Sequence, residues 1–332
     1  MFQKSIDFLA IGDIATDAFI RLKEASVHCT IDKEKCELCM AFGDKIPFEY
    51  VKVVRAVGNS PNACVSASRL GLHTGLIANI GSDENGKNCL EELKRQNIDT
   101  RYIKRHTDMA TNYHFVLWYE VDRTILVNHI EYDYKFPKIT STPRWIYLSS
   151  LAVNSYQYHK ELVEYLKNNP KIKLAFQPGT FQMKLGMNQL KELYSRTEVF
   201  ICNVEEAQRI LNTTSRDVKS LLGELHAHGP KIVLITDGPK GAYMLDGDHF
   251  YFMPIYPDPK PPLERTGCGD AFASTFVSAL SLGKSPLEAL VWAPVNPMSV
   301  IQYVGAQEGL LTRKDIEWWL ERAPENYKPR EI

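Results

Sequence analysis

The sequence predicts an α/β protein with a doubly wound, mainly parallel sheet and a second, small β-sheet. From Trp145 onward, short apolar segments of strand length alternate with segments of helical periodicity, as in parallel sheets covered on both faces. Residues 19–57 and 110–132 instead show the short alternating runs of half-exposed antiparallel strands. A chain of 332 residues has room for about two domains, or for one α/β domain with an appendage.

The elements follow in a regular order along the chain. The first apolar segment, residues 6–14, has the length of a buried strand and contains Gly12 and Asp13 near its end. Residues 62–70 have helical spacing and stop at Gly71, and residues 72–80 form the next strand. The later predictions are a helix at 85–96, a hairpin at 113–119 and 124–130, strands at 145–149, 172–176, 198–202 and 232–236, a β-meander up to residue 252, and helices at 159–168, 188–194, 204–211, 216–228, 270–282, 286–303 and 313–322.

These elements divide the chain into two parts. The α/β core is assigned to residues 1–18, 58–109 and 133–332, and the small sheet to residues 19–57 and 110–132. The small sheet is therefore expected to be discontinuous in sequence.

Charge and hydropathy exclude several classes of partner. The chain carries 39 Lys and Arg against 40 Asp and Glu, a formal net charge of −1. Nucleic acids and anionic membranes require a basic face, so neither is expected as a partner. No apolar run approaches the ~18 residues of a membrane span, and the N-terminal apolar stretch contains Asp7, Asp13 and Asp17, unlike a signal peptide. A cytoplasmic protein is expected.

The seven cysteines form no repeating framework, so reduced thiols are expected. His28, Cys29, Cys36 and Cys39 lie close enough in sequence to leave a zinc site open as an alternative. A C-x-x-C pair alone is a weak zinc signal, because a structural site needs further ligands at suitable spacing.

The segment most informative about chemistry is E-R-T-G-C-G-D-A-F-A, residues 264–273, which follows a proline-rich loop and opens a helix. The backbone N–H groups of Gly267, Cys268 and Gly269, with the positive end of the helix dipole behind them, would form a phosphate site. Asp270 has two interpretations from position alone: a helix N-cap or a catalytic base.

This segment resembles the G-A-G-D signature of the ribokinase-like PfkB family of sugar and nucleoside kinases, with Cys268 in the alanine position. Further motifs follow the family's order, each at a predicted strand-to-helix or strand-to-loop junction. They are Gly12 to Asp17, Gly58 to Ala63 with Arg69-Leu70-Gly71, G-x-D-x-x-G at 81–86, N-x-x-E at 203–206 and T-x-G-x-x-G at 236–241. Together these motifs extend the resemblance along nearly the whole chain.

The resemblance implies a ribokinase-like fold, in which the small sheet is a lid, and ATP-dependent phosphoryl transfer to a hydroxyl of a small sugar. Asp270 would be the general base, and the amides of Gly267, Cys268 and Gly269 the anion hole. The substrate-binding residues would be Asp17, Gly58, Asn59 and Asn62. For Asn62, an N-cap of its own helix remains the alternative.

The nucleotide site implied by the resemblance comprises Asn203, Thr236, Gly238 and Gly241, with Asn296 near the base. Glu206 would hold Mg²⁺ through water. The chain departs from the family pattern at Val57, Gln177, Glu264, Arg265, Pro294 and Pro297. The departures at Glu264 and Arg265 argue against a monovalent cation at this loop, which the family pattern otherwise leaves open, and the two prolines must kink or break the helix beside the adenine site.

Three alternatives stay open from the sequence. The acceptor is a nucleoside rather than a sugar if the aromatic hairpin 113–119 stacks a base. The chain is a nucleotide sensor without catalysis if the departures at Val57 and Arg265 abolish turnover. Two copies form a homodimer if their exposed lid sheets pair across a two-fold axis.

Overall fold

The computed structural model describes residues 5–29, 36–120 and 122–332. Its strands are β1 (Phe8–Ile11), β2 (Ala15–Leu22), β3 (Ser26–Cys29), β4 (Cys36–Cys39), β5 (Phe48–Val57), β6 (Thr74–Gly81), β7 (Ile103–His106), β8 (Asn112–Tyr119), β9 (Asp122–Asn128), β10 (Trp145–Leu148), β11 (Lys173–Phe176), β12 (Val199–Asn203), β13 (Ile232–Thr236), β14 (Ala242–Asp246), β15 (His249–Met253) and β16 (Arg330–Glu331). Its α-helices are α1 (Asn59–Arg69), α2 (Glu84–Arg95), α3 (Tyr156–Asn168), α4 (Thr180–Gln189), α5 (Lys191–Arg196), α6 (Val204–Leu211), α7 (Val218–Ala227), α8 (Cys268–Ser281), α9 (Pro286–Trp292), α10 (Val295–Val300) and α11 (Arg313–Leu320).

The large sheet has ten strands in the order β16-β15-β14-β13-β12-β11-β10-β1-β6-β7. The seven strands from β13 to β7 are parallel, whereas β14, β15 and β16 continue the sheet in antiparallel fashion. All parallel strands end at one edge of the sheet. In open α/β sheets ligands bind at this carboxyl edge.

Helices cover both faces of the large sheet. Along β1, Phe8 and Ala10 are buried in a cluster with residues of α1, α8 and α9, while Leu9 and Ile11 are buried with residues of α3, α5 and α7. Successive strand residues point to opposite faces, so a strand covered on both sides is apolar throughout. The prediction of a doubly wound α/β fold is therefore confirmed.

The lid is a four-stranded sheet in the order β5-β2-β8-β9, accompanied by the β3–β4 hairpin. Its central strand β2 pairs antiparallel with β5 and parallel with β8, which places Asp17 beside Val54 on one side and His114 on the other. The lid thus combines strands that lie far apart in the chain.

Local boundaries differ from the predictions where glycine or proline interrupts a helix. The helix expected at 286–303 is broken between α9 and α10, at Ala293 and Pro294. The helix expected at 188–194 is two helices, α4 and α5, and Gly186 inside α4 has a positive φ of 80°. Proline lacks the N–H that the preceding turn needs, which explains the break between α9 and α10.

Cys29 and Cys36 face each other across the β3–β4 hairpin and form a disulfide. The expectation that all seven cysteines are reduced thiols is wrong for this pair. A disulfide-bonded pair cannot supply two zinc thiolates, and no group of three or more His, Cys, Asp or Glu side chains suited to a metal ion occurs among the described residues. Among the helices of residues 5–29, 36–120 and 122–332, none is both long enough and apolar enough to cross a bilayer.

Candidate active site

The start of α8 leaves a set of backbone donors open. Gly267 is the N-cap residue with φ 81°, and the first helical hydrogen bond runs from the N–H of Ala271 to the carbonyl of Gly267. Within the described chain no partner is found for the N–H groups of Gly267, Cys268 and Gly269, nor for that of Asp270. Free amides at a helix N-terminus form an anion site, so this turn can receive a phosphoryl group.

Gly267 is required at this position by its surroundings as well as by its φ. A Cβ at Gly267 would lie 2.2 Å from the Cβ of Ala306. Burial raises the pKa of the neighbouring Cys268 thiol to about 12, so the sulfur is neutral and Cys268 offers this site its backbone N–H.

Asp270 lies in the first turn of α8, but its side chain does not cap the helix. The carboxylate accepts hydrogen bonds from Asn59 Nδ2 at 2.7 Å, Asn62 Nδ2 at 2.8 Å and Gln177 Nε2 at 3.4 Å. Burial raises the pKa of Asp270, and the amide donors act in the opposite direction. The N-cap interpretation is therefore wrong, and a buried carboxylate stands beside the open amides.

The amides that hold Asp270 come from the start of α1. Gly58 is the N-cap of this helix with φ 125°, and a Cβ there would meet the carbonyl oxygen of Asp13 at 2.6 Å. Asn62 is thus inside the first turn and does not cap α1. Its Oδ1 accepts a hydrogen bond from Gln307 Nε2 at 2.9 Å, which directs its NH₂ group toward Asp270.

Two carboxylates follow β1 near this cluster. Asp17 on β2 is buried, and its Oδ1 lies 3.2 Å from His114 Nδ1. Asp13 is also buried; it accepts a hydrogen bond from the hydroxyl of Tyr134 at 2.7 Å, and its Oδ2 lies 2.8 Å from His129 Nε2. Asp17 was predicted from the sequence, whereas the contacts of Asp13, His114 and His129 were not.

A cavity of about 410 Å³ adjoins the α8 turn. Its lining includes the predicted nucleotide residues Asn203, Thr236, Gly238 and Gly241, together with Cys268 and Gly269 of the turn. Much of the remaining wall is apolar, including Tyr256, Phe272, Pro294, Pro297, Met298 and Ile301, and the charged residues Glu205, Asp258 and Arg265 also line the cavity. This volume lies in the ~300–1,000 Å³ range of small-molecule sites.

Asn296 does not line this cavity. It is fully buried; its amide donates to Thr275 Oγ1 at 2.9 Å and Ser66 Oγ at 3.4 Å, and its Oδ1 accepts from the N–H of Leu311. Its neighbours Pro294 and Pro297 line the cavity, but the polar atoms of Asn296 itself join α1, α8 and the segment before α11.

Asn203 and Glu206 form a reciprocal cap at the start of α6. Glu206 N–H donates to Asn203 Oδ1 at 2.8 Å, and Asn203 N–H donates to Glu206 Oε2 at 2.9 Å. Burial raises the pKa of Glu206, and the negative charge of Asp270 adds to this rise. The two carboxylates are thus close enough to interact electrostatically. A cation would relieve that repulsion, so Glu206 fits a position next to Mg²⁺.

Gln177 is a further site residue whose contacts the sequence did not reveal. It follows β11 directly, accepts a hydrogen bond from the hydroxyl of Tyr147 and points its Nε2 at Asp270. Gln177 stands where the family pattern has asparagine, and it also supplies a side-chain amide.

The parallel sheet, the β lid and the amide turn beside Asp270 define a ribokinase-like kinase. The model of the pfkB family carbohydrate kinases matches residues 38–313. The chain belongs to the PfkB family, and it is a kinase.

Relatives and solved structures agree with this assignment. An uncharacterized sugar kinase of Archaeoglobus fulgidus is 24% identical over 257 residues, covering 73% of this chain and 97% of the relative. A nucleoside kinase of Methanothermobacter thermautotrophicus is 26% identical over 287 residues, covering 83% of each chain. The structure of Arabidopsis thaliana ribokinase complexed with ribose and ATP has a TM-score of 0.75 and 18% identity, covering 96% of this chain and 99% of the other. The structural likeness shows the fold.

Proposed function

We propose that the protein transfers the γ-phosphoryl group of ATP to a hydroxyl of a small sugar. The observation that carries this proposal is the buried Asp270 carboxylate, which directly follows the open amides of Gly267, Cys268 and Gly269 and lies beside a cavity large enough for a small molecule. A base and an anion hole within one turn are what transfer to an alcohol requires, because the protein has to align the hydroxyl, remove its proton and neutralise the moving charge.

Asp270 would accept the proton of the attacking hydroxyl. Each carboxylate oxygen has two lone pairs, so the bonds from Asn59 and Asn62 leave acceptor capacity for the substrate. These two amides hold the carboxylate in place as the hydroxyl approaches. A pKa raised by burial brings the base closer to the working pH, which favours proton transfer.

The open amides of Gly267, Cys268 and Gly269 would bind the transferring phosphoryl group as its charge develops. They are fixed in direction by α8, so they need no reorganisation during the reaction. The adjoining cavity would hold the nucleotide, its phosphates near Thr236, Gly238 and Gly241, and its base against the apolar wall.

Mg²⁺ would bind with Glu206 through water and the phosphate oxygens, and it would neutralise charge on the nucleotide. The buried Glu206 carboxylate fits this position because burial and Asp270 raise its pKa, and a cation beside it would offset both effects by favouring the ionised form. Asn203 would keep the Glu206 side chain in place through the cap of α6.

The acceptor would be bound by Asp17 and the start of α1. A carboxylate can accept hydrogen bonds from two neighbouring hydroxyls, and Asp17 has one oxygen, Oδ2, without a contact to His114. A nucleoside is the second candidate. The observation that favours it is the aromatic pair of His129 and Phe181, whose ring centroids lie 5.7 Å apart beside Asp13.

Substitution of the base tests the proposal. Asp270→Asn should lower kcat by roughly 10²- to 10⁴-fold, because an amide cannot take the proton, while ATP binding stays near that of the wild type. ADP release is measured over a panel of sugars, sugar phosphates and nucleosides, and ATP binding by calorimetry. Near-wild-type turnover of the variant would refute the role of Asp270, and preference for adenosine or inosine over ribose would favour the second candidate.

The outer face of the lid supports a homodimer. Val53, Ala18, Phe115 and Leu126 form one row across all four strands, and Val53, Phe115 and Leu126 are exposed. An exposed apolar sheet face is suited to pairing with a second copy. Sedimentation equilibrium tests this assembly, and a monomer at micromolar concentration would contradict it.

A further inference from the structure

The carboxylate of Glu264 holds together the two segments that meet at the α8 turn. It is only 1% exposed. Its Oε1 accepts the N–H of Thr266 at 2.5 Å, and its Oε2 accepts the N–H of Gly305 at 3.1 Å. Gly267, which follows Thr266, packs against Ala306, which follows Gly305. Glu264 therefore sets the distance between the two segments and with it the position of the open amides.

The cation that pairs with Glu264 comes from the lid. Arg123 on β9 places its Nε 3.8 Å from Glu264 Oε1, and this is the ion pair that Glu264 forms within the described chain. Its Nη1 lies 3.5 Å from the exposed carboxylate of Asp122. The same Nε is buried and has no hydrogen-bond partner in the described structure. A buried carboxylate needs a cation nearby. At 3.8 Å, Arg123 and Glu264 form an ion pair, but the two atoms are too far apart for a hydrogen bond. Arg123 also makes a separate monovalent cation unnecessary for charge balance here.

We propose that Arg123 is a positioning residue that couples closure of the lid to the geometry of the anion hole, an inference that rests on the proposed function. When the lid closes over the acceptor, the guanidinium moves onto Glu264 and tightens its hold on Thr266 and Gly305. When the lid moves away, the buried carboxylate loses its counter-charge and the turn loosens. The open amides are then correctly placed only while the acceptor is enclosed.

The lid offers a matched control. Lys52 on β5 forms a second ion pair between lid and core, with Glu308, but both side chains are substantially exposed. Exposed ion pairs contribute little to stability, and no hydrogen bond of Glu308 to residues 264–270 is found within the described chain. Lys52→Ala therefore removes a contact between lid and core without reaching the anion hole.

The experiment compares Arg123→Ala, Arg123→Lys and Lys52→Ala in the full-length protein. Arg123→Ala should lower kcat about 10- to 100-fold, with KM for ATP within about threefold, because amides displaced from the phosphoryl group lose transition-state stabilisation. Arg123→Lys should recover at least about a third of the activity, since it keeps the charge, and Lys52→Ala should stay within about twofold of the wild type.

Hydrogen exchange measured by mass spectrometry provides a readout that does not depend on turnover. Peptides containing Thr266 and Gly305 should exchange faster in Arg123→Ala and at the wild-type rate in Lys52→Ala. Equal exchange in all variants, or equal kcat for Arg123→Ala and Lys52→Ala, would overturn the coupling. If the wild type phosphorylates no acceptor, the proposed function fails, and the exchange rates alone then decide on the coupling.

Discussion

Substituting Gly267 by alanine tests whether the amide turn is the anion hole. The backbone of Gly267 has φ 81°, a conformation that costs an alanine roughly 1–2 kcal/mol. The added Cβ would also lie 2.2 Å from the Cβ of Ala306. Since carbon atoms in contact are about 3.5–4.0 Å apart, one of the two segments must move by more than ~1 Å.

That displacement falls on the reacting region, because Gly267 is the N-cap residue that directs the amides of Cys268 and Gly269. A misplacement of ~1 Å is associated with about a 100-fold loss of rate, and loss of one oxyanion donor with ~10²- to 10³-fold. We therefore expect Gly267→Ala to lower kcat at least ~100-fold.

Gly186→Ala is the matched control. Gly186 has φ 80°, and no atom outside its immediate neighbourhood lies within 4 Å of the position of an added Cβ. Both variants place an alanine at a positive φ. Gly186, with ψ 160°, imposes at least as much backbone strain as Gly267, and only Gly267→Ala adds the collision. ADP release and thermal unfolding are measured for both, and Gly186→Ala should lose stability without losing kcat. If both variants retain wild-type kcat while folded, the turn does not act as the anion hole.

Two further substitutions address Glu206 and Asn296. Because the pKa of Glu206 is raised on folding, the folded state binds more protons than the unfolded state as pH rises above the ordinary value of 4.5, and stability falls with pH. Glu206→Gln keeps an acceptor for the N–H of Asn203 but removes the titrating group, so the dependence of urea unfolding on pH should be lost. The Mg²⁺ concentration for half-maximal activity should rise. An unchanged pH dependence would contradict the raised pKa of Glu206. Asn296→Ala should lower the free energy of unfolding by ~2–4 kcal/mol, because it leaves buried partners unpaired. KM for ATP should stay within about twofold. A large rise in KM would show that Asn296 contacts the base of the nucleotide.

The fold was predictable because its signals are local. Four successive buried residues in β1 report a strand covered on both sides, and glycine turns at strand ends report the carboxyl edge of a parallel sheet. The glycine and asparagine motifs of the sequence lie at this edge. There Asn203 and Thr236 line the cavity, and Asp270 lies in the adjoining turn of α8.

The contacts that give each site residue its environment were not predictable. Asp270 is held by Asn62, 208 residues earlier in the chain, and Asp13 meets His129 across 116 residues. No sequence periodicity reports such pairings. Asn62 and Asn296 illustrate this limit. Both were predicted to contact a ligand, but Asn62 donates to Asp270 and Asn296 makes hydrogen bonds in the core. The packing of α1 against α8 determines these contacts.

The central strand of the lid has a consequence for synthesis of the chain. β2 is synthesised early, but its partner β8 lies much later in the chain, and Ala15 pairs with Asn112. Contacts of such sequence separation form slowly, and an unpaired strand edge is prone to association with other chains. On the ribosome, β2 therefore stays open on one side until the chain has grown past residue 119.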